Sequence, residues 1–402
     1  MNRARKIFIY TDIPEARERR PKQRTLPELL RNRARRAFDF AQWRALERVR
    51  FQHYSYADRE FSNAGDIAIR IAIEEDLQRA FAPAEVEFIE YGFGNLNAEV
   101  VERANREADL FVITGGAYIH YNSEGSINRR LREDLPHVEK LTCPVITFGI
   151  SISSQLAPGR DVRTSQLASE SMELLRRFRS RLALCSVRDE QSQTIFEAAS
   201  GKLVHLISDS VLFLQQPGMA SLSGGAPHVG VNLTFHGAHA DRLLERNLKI
   251  YIAGLKTLQS RTGCRFFYLA HSDGERLIVR LLRGAGIPLE VAPIDVREML
   301  QWYRAMDIVI CQMLHASIFS ANAGTPFLNL AYDVKNLLFC EALGVPEYCI
   351  PSYELTPEQL CEKAEALLQD RKRVAVTIDK RKASLREGNE AFLKDVIGLM
   401  QV

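Results

Sequence analysis

An alternation that stops once and then restarts constrains this chain more than any other feature. Lys6–Thr11, Val86–Ile89, Leu110–Thr114, Val145–Ile150 and Leu182–Val187 are short, mostly apolar runs that read as strands. Between them, Asn63–Phe81, Asn97–Ala108, Ser165–Ser180 and Glu190–Ala199 carry helical spacing. Strands alternating with helices predict βαβ units, and unbroken apolar strands predict a parallel sheet buried on both faces. A stretch rich in Gly, Pro and Ser, QQPGMASLSGGAP at 215–227, then interrupts the pattern. It restarts with strands at Val229–Leu233, Arg265–Leu269, Ile308–Cys311 and Phe327–Leu330, and 357–369 and 384–400 read as closing helices.

The expected fold is therefore α/β, with two facing Rossmann-like domains at 1–215 and 228–402 and a linker at 216–227. A chain of 402 residues is long enough for two such cores. Open parallel sheets bind ligands beyond the carboxyl ends of their strands. Two facing sheets place the expected active site in the cleft between the domains. An insertion, about 12–60, separates the first strand from the first regular helix, and 28–50 has helical spacing.

Charge and cysteine usage narrow the setting. Residues 1–50 hold 15 Lys or Arg against 6 Asp or Glu, although the whole chain carries a formal charge of only +3. A basic arm on a mildly acidic body suits an anionic membrane surface, but it reads equally as a solvated Arg-rich helix face. Seven cysteines occur without a CxxC pair, several of them in apolar runs. Buried free thiols in a reducing compartment are expected. No apolar run reaches about 18 residues, and no leader opens the sequence. These readings predict a cytoplasmic protein, placed by the basic arm at the inner face of the membrane.

Polar clusters follow several strands. Gly115 and Gly116 end the strand FVIT, where glycines let backbone approach a ligand or simply make a tight turn. Arg188 closes the strand LALCS and can hold a carboxylate or phosphate in fork geometry, or form a surface ion pair. Asp189 and Glu190 suit the start of the next helix. His315 follows IVICQ and can move a proton near neutral pH, or sit hydrogen-bonded in the core. Lys335 lies just past another strand, as do His271 and Asp273. His236 and His239 have HxxH spacing, but no third ligand accompanies them, so no metal site is expected. Walker A, GxGxxG and GxSxG patterns are absent.

In their order, these pieces resemble the polysaccharide pyruvyl transferase family. Asn63-Ala64-Gly65-Asp66 resembles its N-x-G-D, and Ser186-Val187-Arg188-Asp189 with Ser192 resembles S-x-R-D-x-x-S. Thr114-Gly115-Gly116, Asp209, His271 with Asp273, Leu314-His315-Ala316, Gly324-Thr325-Pro326, Tyr332 and Lys335 extend the likeness over roughly 61–345. The resemblance implies a GT-B-like fold and transfer of pyruvate from phosphoenolpyruvate to a sugar of a cell-surface polysaccharide or its lipid-linked precursor, such as an exopolysaccharide, as a ketal. Arg188, Leu314, His315 and Lys335 would bind the donor with Gly115 and Gly116, and Arg188, His315 and Lys335 would be catalytic. Asn63, Asp66, His271 and Asp273 would line the cleft or bind acceptor. No metal or redox cofactor and no nucleic acid is implied, and a homo-oligomer is compatible. Three departures stand out: Met313 replaces the Arg of R-L-H, Ala117 replaces a third glycine, and the insertion is extra. Two alternatives remain open at this level. One is a GT-B glycosyltransferase using a nucleotide sugar; the other is a non-catalytic scaffold of glycan assembly.

Overall fold

The computed structural model describes residues 4–13, 25–27, 30, 31, 34, 63–154, 156, 167–215, 218, 222, 225–234 and 240–401. Most of the helix expected at 28–50, most of the linker, and His236 and His239 lie outside the described residues.

Two six-stranded sheets organise the chain, and every strand pairing is parallel. The first contains β1 (Arg5–Thr11), β2 (Val86–Gly92), β3 (Leu110–His120), β4 (Val145–Ser153), β5 (Leu184–Val187) and β6 (His205–Leu206). Their order is β2-β1-β3-β4-β5-β6. The second contains β7 (His228–Asn232), β8 (Arg265–Tyr268), β9 (Leu289–Val291), β10 (Ile308–Cys311), β11 (Phe327–Ala331) and β12 (Cys349–Pro351). Its order is β12-β11-β10-β7-β8-β9. Chain direction across this sheet reverses between β7 and β10, which is where doubly wound sheets open a ligand crevice.

Helices cover the sheets. In the first half they are α1 (Ala64–Phe81), α2 (Ala98–Glu107), α3 (Arg129–Val138), α4 (Ser169–Arg181) and α5 (Glu190–Ser200). In the second they are α6 (Ala240–Thr262), α7 (Arg276–Gly284), α8 (Val296–Arg304), α9 (Leu314–Asn322), α10 (Val334–Ala342) and α11 (Pro357–Leu399). Among the described residues no helix is long and apolar enough to cross a membrane.

The two expected closing helices are one element. A capping box of Thr356 and Gln359 starts α11, which then runs for 43 residues. Its first part belongs with the second sheet, where Glu365 pairs with Arg261 of α6. Its last part crosses to the first sheet. There Asn389 exchanges two hydrogen bonds with the backbone of Ser208 at 2.7 and 3.1 Å. The Phe392 ring packs edge-on against Phe148 of β4, and Arg5 of β1 donates to the Met400 carbonyl. The C-terminal segment therefore covers the N-terminal sheet.

The strand expected at 110–114 does not stop at Gly115-Gly116. It continues to His120, with its register shifting between Gly116 and Ile119. β4 shows what such irregularity does. Ile146 and Phe148 face the core that also holds α1, while Ile150 and Ile152 face the opposite core. Strict alternation would keep all four on one face. Gly149, at φ +67°, breaks it. Beyond that glycine, Ser151 and Ser153 take the face upstream held by Ile146 and Phe148. On that face Ser151 Oγ accepts from Arg188 and Ser153 Oγ pairs with His120 Nδ1.

Candidate active site

The site is built from strand ends of both halves. Arg188 follows β5, and its backbone N–H donates to Ile150 O of β4. Its guanidinium donates to Asp209 Oδ2 at 2.6 Å and to Ser151 Oγ at 3.3 Å. Both members of the ion pair are nearly buried, at 6% and 5% side-chain exposure. Among the described residues Arg188 Nε has no hydrogen-bond partner. A buried guanidinium whose fork is only partly satisfied can still take an acceptor.

His315 and Lys335 come from the second half. His315 lies in the first turn of α9, directly after β10 at the switch point. No side chain caps that helix: Met313 occupies the N-cap and offers none. The first-turn amides of α9 therefore carry the partial positive charge of a helix N-terminus into the cleft. Lys335 opens α10, whose N-cap, Asp333, accepts from the Lys335 backbone N–H at 3.1 Å. Its ammonium lies 4.0 Å from Asp333 Oδ2 and over the Tyr332 ring.

Electrostatics tie the three groups together. Burial first, then the charges of Arg188 and Lys335, hold the His315 imidazole well below the ordinary histidine range. It is neutral at pH 7, and among the described residues its Nε2 has no hydrogen-bond partner. Burial raises the Asp333 carboxyl, opposed by Lys335 and Arg188. Burial likewise raises Asp189, opposed by its bonds to Ser192 and by Arg188. Asp189 caps α5 through Ser192 N at 2.7 Å, so its part is to fix the strand–helix turn that aims Arg188.

A cavity of about 380 Å³ opens beside these groups, with Arg188, Ser208, Asp209, Leu314 and Lys335 in its wall. The Cβ and Nδ1 side of His315 lies against α1. A side-chain carbon built at Gly65 would lie 2.1 Å from His315 Nδ1. The glycine of N-x-G-D thus leaves room for the histidine of the opposite domain. The sequence pattern shows a glycine there but not the ring that occupies its side.

The remaining expected site residues are distributed differently. Asn63 caps α1 through Gly65 N at 3.0 Å, and the next amide, Ala64 N–H, donates to His271 O across the domains. Asp66 stands in the first turn of α1 near Gly116, whose φ of +117° favours glycine. Gly115 serves sheet packing: a side-chain carbon there would meet Gly149 O at 2.6 Å. His271 does not line the cleft with its ring. It lies 1% exposed in the core, with Nε2 2.8 Å from Tyr303 OH and its ring edge-on to Phe319. Burial pushes its pKa down to about 3, with a smaller contribution from His315. Its backbone carbonyl, not its imidazole, reaches the cleft region. Asp273 opens a one-turn 3-10 helix, Asp273–Glu275, and its side chain lies outside the described residues.

Met313 is 5% exposed and packed in the core, its backbone N–H facing Asn232 Oδ1 at 3.3 Å. It adds no charge to the site. A second bridge between the domains lies next to Lys335. Leu156 N–H donates to Tyr332 O, and Val334 N–H donates to Ser154 O, each at 3.1 Å. Leu156 buries its side chain against Ala331 and Val334. Asp333 and Ser151 were not singled out from sequence. An Asp immediately before a helical run is the one available signal, for Asp333.

Two facing parallel sheets with convergent cations at their strand ends have the architecture of GT-B enzymes. Within that class, the chain belongs to the polysaccharide pyruvyl transferase family, whose sequence model matches residues 63–334, and it is therefore a transferase. The fold is similar to that of UDP-GlcNAc 2-epimerase from Neisseria meningitidis bound to UDP-GlcNAc. That likeness has a TM-score of 0.53 at 9% identity and covers 83% of this chain and 97% of that one. Another UDP-N-acetylglucosamine 2-epimerase matches with a TM-score of 0.50 at 11% identity, over 98% of this chain and 96% of that one. Among curated proteins none matches the sequence.

Proposed function

We propose that the chain transfers pyruvate from phosphoenolpyruvate to a saccharide of a cell-surface polysaccharide or its precursor, forming a ketal and releasing phosphate. The observation that carries this reading is the cluster itself: Arg188, Lys335 and the uncapped N-terminus of α9 surround a neutral, buried His315. Such a cluster suits a small, multiply charged anion. The donor's carboxylate and phosphate lie between Arg188, Lys335 and the α9 amides. Their negative charge raises the His315 pKa, because an opposite charge favours the protonated ring. His315 Nε2 then delivers a proton to the methylene carbon as one acceptor hydroxyl adds to the central carbon. A second hydroxyl displaces phosphate. One hydroxyl proton is thus balanced by the new methyl group and the other by the departing phosphate.

The assay is phosphate release from phosphoenolpyruvate with a polysaccharide-derived acceptor. His315→Ala is expected to lose turnover, and wild-type rates in that variant would overturn the role of His315. Calorimetric titration with phosphoenolpyruvate and with nucleotide sugars separates pyruvyl from glycosyl transfer. Binding of a nucleotide sugar alone rejects the pyruvyl reading. We further place the reaction in the cytoplasm at the inner membrane face, through the basic arm of residues 1–50. Co-sedimentation with liposomes that does not depend on anionic lipid removes that placement.

A further inference from the structure

The cavity beside Arg188 extends well past the groups that suit the donor. Its wall follows α10 from Lys335 at the amino end to Glu341 and Ala342 at the carboxyl end. At about 1.5 Å per residue, the two ends lie roughly 10 Å apart along the helix. A three-carbon enol phosphate has only about four bonds, of about 1.5 Å each, between its phosphorus and the far carboxylate oxygen. It cannot reach from one end to the other.

The far end has its own chemistry. Arg381 of α11 lies in the cavity wall with its stem across Gly344. The other two cations of the wall stand beside carboxylates: Arg188 at 2.6 Å from Asp209 and Lys335 at 4.0 Å from Asp333. Arg381 is exposed, and no hydrogen bond or ion pair joins it to another described residue. Glu341 stands at the same end of α10, Glu190 follows Arg188 and Asp189 in the wall, and Phe339 and Leu385 add apolar surface. Carboxylates accept hydrogen bonds from sugar hydroxyls, whereas a guanidinium takes a carboxylate or phosphate in fork geometry.

We propose that this outer compartment holds the acceptor and that Arg381 selects an acceptor carrying an anionic group, either a uronate carboxylate or a glycosyl phosphate. Glu341 receives one of its hydroxyls. The proposal rests on the pyruvyl-transfer reading for the word acceptor, but the binding site is testable without it.

The test uses the full chain and three neutral sugars, glucose, galactose and mannose, each also as its uronate and its 1-phosphate. Binding is measured by calorimetry without donor, for wild type, Arg381→Ala and Arg381→Lys. Phosphoenolpyruvate binding is measured separately on the same proteins. The expected result is at least fivefold tighter binding of a charged sugar than of its neutral parent in wild type. That preference should vanish in Arg381→Ala and survive in part in Arg381→Lys, with phosphoenolpyruvate affinity unchanged in both. The uronate and 1-phosphate arms identify the anionic group. Equal binding of charged and neutral sugars, no binding of any, or an unchanged preference in Arg381→Ala each overturns the proposal. Charged-sugar preference without phosphoenolpyruvate binding keeps the compartment and rejects the donor reading instead.

Discussion

Gly65 and His315 meet across the domain boundary, so closely that a methyl group on Gly65 would overlap the imidazole at 2.1 Å from Nδ1. Helix α1 and helix α9 belong to different sheets, yet one leaves the space the other fills. His315 Cβ would itself lie 2.5 Å away, so turning the ring cannot relieve the overlap, and Gly65→Ala is expected to push α1 and α9 apart and displace the His315 ring. Misplacing a catalytic group by about 1 Å costs on the order of 10²-fold in rate. Phosphate-release kinetics on Gly65→Ala, beside its circular dichroism, check this. A variant with wild-type kcat would show that the ring position does not matter.

Asp209 neutralises Arg188 in a nearly buried pair. Asp209→Asn leaves the guanidinium without its counter-charge. Breaking a buried pair from one side costs about 3–5 kcal/mol. The same change strengthens the site's pull on anions. Denaturant unfolding should show the loss of stability, and calorimetry should show tighter phosphoenolpyruvate binding in the same variant. Weaker binding would mean that Asp209 orients Arg188 more than it competes for it.

The histidines give stability a pH dependence with a definite sign. Burial holds His271 at about 3, against an ordinary value near 6.5. Below pH 6.5 the unfolded chain takes up a proton there that the folded chain refuses. Stability is thus fully present above about pH 6.5 and is lost as pH falls toward 3. His271→Gln removes this contribution. The difference between wild-type and variant unfolding free energies should change between pH 7 and 4, with the variant losing less. Parallel curves would place His271 in a wetter setting than its contacts with Tyr303 and Phe319 describe.

The end of α11 is expected to stabilise the first sheet. Phe392 is fully buried against Phe148, and removing such a ring costs about 3–5 kcal/mol. Chemical denaturation of Phe392→Ala measures it. A loss below 1 kcal/mol would mean that the helix end rests on the sheet without supporting it.

Much of this was legible in the sequence, for identifiable reasons. Strands buried on both faces are apolar throughout, so β1, β4, β7 and β10 stood out. Arg188, His315 and Lys335 were legible by position, each just past a strand. What escaped depends on contacts between distant segments. His271 points into the core because Tyr303 and Phe319 receive it, and nothing near residue 271 says so. Helix α11 looked like two helices because 370–383 is charged on several faces, whereas packing against both sheets sustains it. The short α10 was missed because its residues are mostly apolar and follow a strand directly. The packing of Gly115 against Gly149 O was not legible, because it joins two strands far apart in sequence.

The return of α11 to the first sheet also orders events during synthesis. All six strands of that sheet have emerged by Leu206, but the ring that covers Phe148 is Phe392, nearly two hundred residues later. At about 5–20 residues per second, the first domain waits roughly 10–40 s for its last surface. During that interval the patch around Phe148 that Phe392 covers stays open, although α1 already packs on the same face. Completion of the first domain therefore follows synthesis of the second.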